Sequence, residues 1–300
     1  MNRHLQLHLL VLLLAATAVL GKLISIPAVG LVVWRTFFAA VGAMVWLIAV
    51  RRQTVWPGRR LTAGLVGIGL IVGVHWMCFF GAVKLAGISV CLAGMATIPL
   101  FTAFTEPLFE RRRVRPFEVM LGLLVFAGIA VIAGSINRKD LAGLALALVG
   151  ALLAAVFPVL NRRLVHGGGD PLTMVAWEMI GACAAALACV PWSGGMVALT
   201  HWHGLDMLWL LLLAWACTDF AHGFHIHLLK HFSAYTMNLA ISFEPLYGIL
   251  AAALFFGEYQ QLRPAFYAGL ATILAVNLLH PLAARWARHK LPDPVAGGDV

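Results

Sequence analysis

Charge is scarce in this chain, and acid is scarcer than base: Asp and Glu number 12 against 21 Lys and Arg, and charged residues make up 11% of 300. A water-solvated domain carries about 25% charged residues. The shortfall leaves too few polar side chains to cover a surface in water. Cysteine is sparse as well. The five (Cys78, Cys91, Cys183, Cys189 and Cys217) fall inside apolar stretches at unrelated spacings, which excludes a paired zinc or redox motif and leaves them as packing residues. Also missing are an ATP-binding motif, a phosphate-cradling loop and a nucleophile with a recognisable base partner. Neither catalytic residues nor a cofactor is therefore expected.

What the chain has instead is apolar length. Hydrophobic residues make up 62% of it, and its mean hydropathy is +0.93. A hydrocarbon core of about 30 Å takes roughly 20 helical residues at 1.5 Å each. Ten runs meet that demand, at about 5 to 26, 31 to 50, 61 to 82, 87 to 109, 117 to 136, 141 to 160, 171 to 191, 206 to 229, 234 to 256 and 264 to 284. The first resembles a secretory signal, with Arg3 ahead of it and "ATA" at Ala16 to Ala18. Nine further spans favour a retained helix. The expected fold class is an all-α integral membrane protein with the lipid bilayer as its solvent.

A net charge of +9 would suggest nucleic acid in a soluble protein. Here the placement of charge decides its meaning. With the N-terminus in the cytoplasm, fifteen basic residues lie on that side, in "RRQTVWPGRR", "ERRRVR", "NRRLVHGG" and "RWARHK", with Arg3 and Lys230. Four (Lys84, Arg138, Lys139 and Arg263) face outward. That bias puts both termini in the cytoplasm of a multi-pass protein of the cell inner membrane, and no nucleic-acid partner is expected.

Self-comparison shows the chain written twice. Lys84 precedes Pro99 by the same interval at which Lys230 precedes Pro245. "ERRRVRP" from Glu110 matches "EYQQLRP" from Glu258, and "WRTFFAAVGA" from Trp34 corresponds to "WEMIGACAAA" from Trp177. An alternative register pairs "TEP" at Thr105 to Pro107 with "FEP" at Phe243 to Pro245. A unit of five spans is odd, so the second copy enters the membrane from the opposite face. The expectation is two inverted five-helix repeats, 1–140 and 141–284, followed by a cytoplasmic tail at 285–300.

The stretch "ACTDFAHGFHIHLLKHFSAYTMNLAISFEPLYGILAAALFFGE" resembles the second EamA-type repeat of the drug/metabolite transporter superfamily, through Lys230, Ser233, Ala234, Glu244, Pro245, Gly257 and Glu258. The first half matches more loosely through "GAVKLAGISV", Pro99, Phe109 and Glu110. The resemblance implies a ten-helix carrier with both ends cytoplasmic that moves small metabolites, often exporting amino acids or related compounds. It also implies a site near the midplane formed by spans one, three, four, six, eight and nine. The family commonly has Trp-Gly in its first span; this chain has Leu20 and Gly21 followed by Lys22.

Ionisable groups inside a bilayer are costly, so each is a candidate for substrate binding or coupling. Lys22 either snorkels from the end of span one or forms a fixed positive site for a carboxylate or phosphate. Arg35, beside Trp34 at the start of span two, is placed at the interface. His75, Glu178 and His225 are further ionisable groups within spans. Glu106 and Glu244 precede prolines that free a backbone carbonyl; each contacts substrate, exchanges a proton, or ties helices together. Trp76, Phe79, Phe80, Trp215 and Phe220 are aromatic candidates for cavity walls or for packing. Gly69 and Gly73, four apart, permit close helix contact.

The span-eight run "DFAHGFHIHLLKHF" holds four histidines, yet at roughly 100° per residue they do not converge. Asp219 with His222 and His227 with His231 form same-face pairs, and the latter approaches the interface. Asp219 and His222 lie deeper and suit proton exchange near neutral pH. A proton- or ion-coupled carrier of a small-molecule substrate is therefore expected. A divalent-metal transporter or a membrane-embedded metal-dependent enzyme built on these residues stands as the alternative.

Overall fold

The computed structural model describes residues 3–110 and 116–290. Its elements run α1 (Arg3–Leu23), α2 (Ala28–Val45), α3 (Arg59–Met95), α4 (Ile98–Glu110), α5 (Pro116–Ser135), α6 (Leu141–His166), α7 (Pro171–Cys189), α8 (Val197–Thr200), α9 (Asp206–Ala214), α10 (Ala221–Leu228), α11 (Ala234–Ile241), α12 (Glu244–Phe256) and α13 (Pro264–Lys290). Among the described residues all of the regular structure is helical, and seven segments are long and apolar enough to cross a bilayer. Two shorter apolar helices, Val119–Ser135 and Pro264–Leu279, accompany them. The basic run at 111–115, within the first E-x4-R-P copy, lies outside the described residues, as does the last part of the expected tail, 291–300. The beginning of that tail, up to Lys290, continues helix α13.

Helix α3 has 37 residues, about 55 Å at 1.5 Å per residue and nearly twice a hydrocarbon core. It does not run through. Gly87 sits at φ 85° and ψ 171°, a conformation open to glycine alone, and the chain changes direction there. The sequence-based spans 61 to 82 and 87 to 109 divide at this glycine. Glu258, in the turn after α12, caps the arm that follows. Its carboxylate accepts from the backbone N–H of Ile88 at 3.0 Å, the N–H of Ser89 at 2.9 Å and the Ser89 hydroxyl at 2.7 Å. An acid at a helix N-terminus satisfies orphan donors and opposes the positive end of the helix dipole.

The two halves break their helices in the same way. Arm 88–95 is interrupted at Ala96 and Thr97 before the 13 residues of α4. Likewise α11 is interrupted at Ser242 and Phe243 before the 13 residues of α12. Pro99 and Pro245 are each the second residue after the break, where a missing N–H costs nothing. The helix boundaries therefore follow the register that pairs Lys84 with Lys230 and Pro99 with Pro245. In the "TEP" register, Pro107 falls inside α4, whereas Pro245 opens α12.

Helix α3 packs against α6 and α7, α2 against α7, and α5 against α13. Glycine makes the closest approaches. A Cβ on Gly69 would stand 2.1 Å from the Glu178 carbonyl oxygen, and one on Gly181 would stand 2.2 Å from that of Val66. Backbones in such contact gain dispersion energy that bulkier residues would forbid. The contact also fixes Glu178 against α3.

Candidate functional site

The polar groups buried by this packing converge on a central cavity of about 80 Å³. Its walls come from α1, α2, α3, α4, α6, α10, α11 and α12, with Cys217 from the π-helical turn Trp215–Phe220 between α9 and α10. The lining positions are related between the halves. Trp76 and His222, Phe79 and His225, Met95 and Ile241, and Ile98 and Glu244 all keep the offset that separates Lys84 from Lys230. Leu14 and Thr17 on α1 answer to Ala154 and Phe157 on α6 at a second constant offset.

Arg35 corrects the interfacial placement expected from sequence. Helix α2 begins at Ala28, so Arg35 lies two turns inside it and is 1% exposed. Its Nε donates to the Thr218 hydroxyl at 2.7 Å and Nη2 to the Cys217 carbonyl at 3.1 Å. The guanidinium stacks 3.7 Å from the centre of Trp76 and lies 5.4 Å from Phe80. Nη1 has no hydrogen-bond partner.

His222 joins Glu178, with Nε2 to Oε2 at 2.7 Å, and Asn161 Nδ2 donates to the same oxygen at 3.3 Å. Glu178 is wholly buried. The acid beside His222 is thus Glu178 on α7, whereas Asp219 points away. The physical reason is the π-helical turn, whose extra residue rotates Asp219 out of the register that a plain α-helix would give it relative to His222. Asp219 lines a lateral groove of about 960 Å³ with Trp215, Phe220, Trp46 and Lys230. Trp215 and Phe220 are exposed on this flank, while Trp76 and Phe79 line the central cavity. Phe80 is buried beside Arg35.

His75 faces the cavity. Its Nδ1 lies 2.8 Å from the Gly150 carbonyl oxygen. A carbonyl only accepts, so Nδ1 carries the proton and Nε2 is the acceptor of the neutral ring. Glu244, 6% exposed, opens α12 on the cavity wall. His225 joins the lining, with its Nε2 unpartnered. Glu106 is buried on α4 outside the lining of this cavity.

Lys22 is remote from this centre. It pairs with Glu258 at 2.5 Å, sits 5.1 Å from the Phe256 ring, and borders a separate cleft of about 370 Å³ with Lys84 and Lys139. Burial would push the Glu258 carboxyl up, but Lys22 and the donors of Ile88 and Ser89 outweigh it and hold the group below its ordinary 4.5. The His227 and His231 rings lie 5.7 Å apart on the exposed side of this segment. Among the described residues no group of three or more His, Cys, Asp and Glu converges to hold a metal ion.

Sequence reasoning missed the central placing of Arg35 and the partnership of Glu178 with His222. The signal was present. Carrying the Trp34 to Trp177 correspondence one residue further pairs Arg35 with Glu178.

A family profile described as "EamA-like transporter family" matches residues 4–134 and 141–279. The two matched segments correspond to the two halves whose helices break alike. No curated protein matches the chain. Among solved structures, one described as "Crystal structure of protein" superposes with a TM-score of 0.66 at 18% identity, covering 94% of this chain and 98% of that one. At that identity the likeness shows the fold alone.

Proposed function

Because the chain belongs to the EamA-like transporter family, we propose that it is a secondary carrier of small organic metabolites working by alternating access around the central cavity. The observation that carries this reading is the cavity itself, enclosed by both halves and lined by positions the internal repeat relates. Its polar groups are the costly intramembrane kind that mark a solute or ion path.

In this reading the helix break at Gly87 separates two membrane passes, and α5 and α13 complete ten helices in two inverted repeats. Fifteen basic residues against four favour cytoplasmic termini and the cell inner membrane. The family resemblance supports export of amino acids or related compounds. Coupling to protons is supported by the buried bond between His222 on the cavity wall and Glu178 behind it. His75, Trp76, His222 and Glu244 then act in binding or coupling. Lys22 acts at the end of the molecule where Glu258 holds the α3 break.

The test is a solute screen in proteoliposomes with an imposed pH gradient, beginning with amino acids. Uptake or release of at least one solute that collapses with the gradient is expected. Flux indifferent to pH would remove the proton coupling, and no flux of any organic solute would remove the carrier reading.

A further inference from the structure

The carrier reading leaves open what sets the chemistry of the solute, and one buried group bears on that. We infer that Arg35 is the anion-binding residue of the central cavity, taking the carboxylate of the transported solute. The inference rests on the carrier reading for the word "transported"; the binding itself does not depend on it.

A guanidinium keeps its charge under physiological conditions, and burying one is expensive unless an anion or a full set of acceptors compensates. Arg35 is 1% exposed. Its hydrogen-bond and ring partners among the described residues are neutral: the Thr218 hydroxyl, the Cys217 carbonyl and the faces of Trp76 and Phe80. Rings and dipoles offset part of the cost but do not match a charge. A purely structural tie between α2 and the π-helical turn would need only Nε and Nη2. Nη1 remains, buried and without a partner, on a side chain that lines the cavity. Trp76 packs 3.7 Å over the guanidinium, and Thr218 and Cys217 hold its other nitrogens, which pre-organises Nη1 to donate to an anion's oxygen.

The repeat adds an independent observation. The counterpart of Arg35 is Glu178, and that of Trp76 is His222. The stacked Arg35–Trp76 pair and the bonded Glu178–His222 pair thus occupy repeat-related positions, with a basic residue in the first half where the second has an acidic one. Glu244 is the acid that lines the cavity on the second half's side, with His222 and His225 beside it in the lining. A solute with a carboxylate at one end and a hydrogen-bond donor or cation at the other has one favoured orientation between these walls.

The experiment uses the purified full chain in nanodiscs, with the protein amino acids and their carboxamides as probes. At least one amino acid should stabilise the wild type against heat, with its carboxamide about tenfold weaker or worse. Arg35→Gln should cost about tenfold or more in affinity for the acid and little for the amide. Arg35→Lys keeps the charge without the fork, should fall between, and is read the same way if Arg35→Gln does not fold. Equal affinity for acids and amides in the wild type, no binding of any acid, or equal weakening of both in the variants would overturn the assignment. Arg35-dependent binding with no flux in proteoliposomes would sink the carrier reading and leave Arg35 standing.

Discussion

His222, Glu178 and Asp219 separate two ideas about span eight that residue types alone merge. His222 bonds to Glu178 at the cavity; Asp219 lines the lateral groove. Truncating one partner of a buried hydrogen-bonded pair leaves the other unsatisfied. His222→Ala and Glu178→Gln should therefore each lower pH-driven flux tenfold or more at normal membrane insertion, while Asp219→Asn keeps it within about threefold. Loss of flux in Asp219→Asn with His222→Ala unaffected would reverse the assignment. Glu258 makes a second residue-level prediction. Its folded carboxyl is held below the ordinary 4.5, so its contribution is present above that value and is lost as pH falls through the lower folded one. Thermal stability in detergent should stay flat from pH 7 to about 5 on this account and decline below it. Glu258→Gln should flatten that decline and lower stability at pH 7; an acid limb unchanged by the substitution would count against the cap.

At the scale of elements, two glycines are placed where a side chain has no room. Gly69 meets the Glu178 backbone, and a Cβ there would stand 2.1 Å from its carbonyl oxygen. Gly69→Leu should cost about 1–3 kcal/mol by overpacking and displace Glu178 from His222, lowering thermal stability and flux together. Gly87 holds φ 85°, and Gly87→Ala should cost about 1–3 kcal/mol in backbone strain, with its Cβ 2.9 Å from the Glu258 carboxylate. Melting temperatures unchanged in both variants would contradict the described contacts. Much of this layer was legible in advance. Apolar runs marked the helices, and the Lys84 to Pro99 interval carried the internal repeat. The π-helical turn was not legible, because π and α registers share one hydrophobic pattern over so few residues. Missing it put Asp219 beside His222. Arg35 was misplaced for a different reason: span two was started at about residue 31, while Pro27 lets α2 begin at Ala28.

For the whole molecule, two halves with matched helix breaks line one cavity, with Arg35 on the first half's side and His222 and Glu244 on the second's. Composition was enough to expect the membrane, and self-comparison of the two halves was enough to expect the repeat. Which polar residues meet was not, because convergence depends on contacts between α2, α7 and the π-helical turn, far apart in sequence. The central claim is that solute passes through this cavity. Counterflow in proteoliposomes with an amino-acid panel, comparing the wild type with Glu244→Gln at equal reconstitution, tests it most directly. The account predicts transient accumulation of at least one solute by the wild type and a loss of tenfold or more in Glu244→Gln. Equal counterflow in the two proteins, or none for any solute in the wild type, would contradict it.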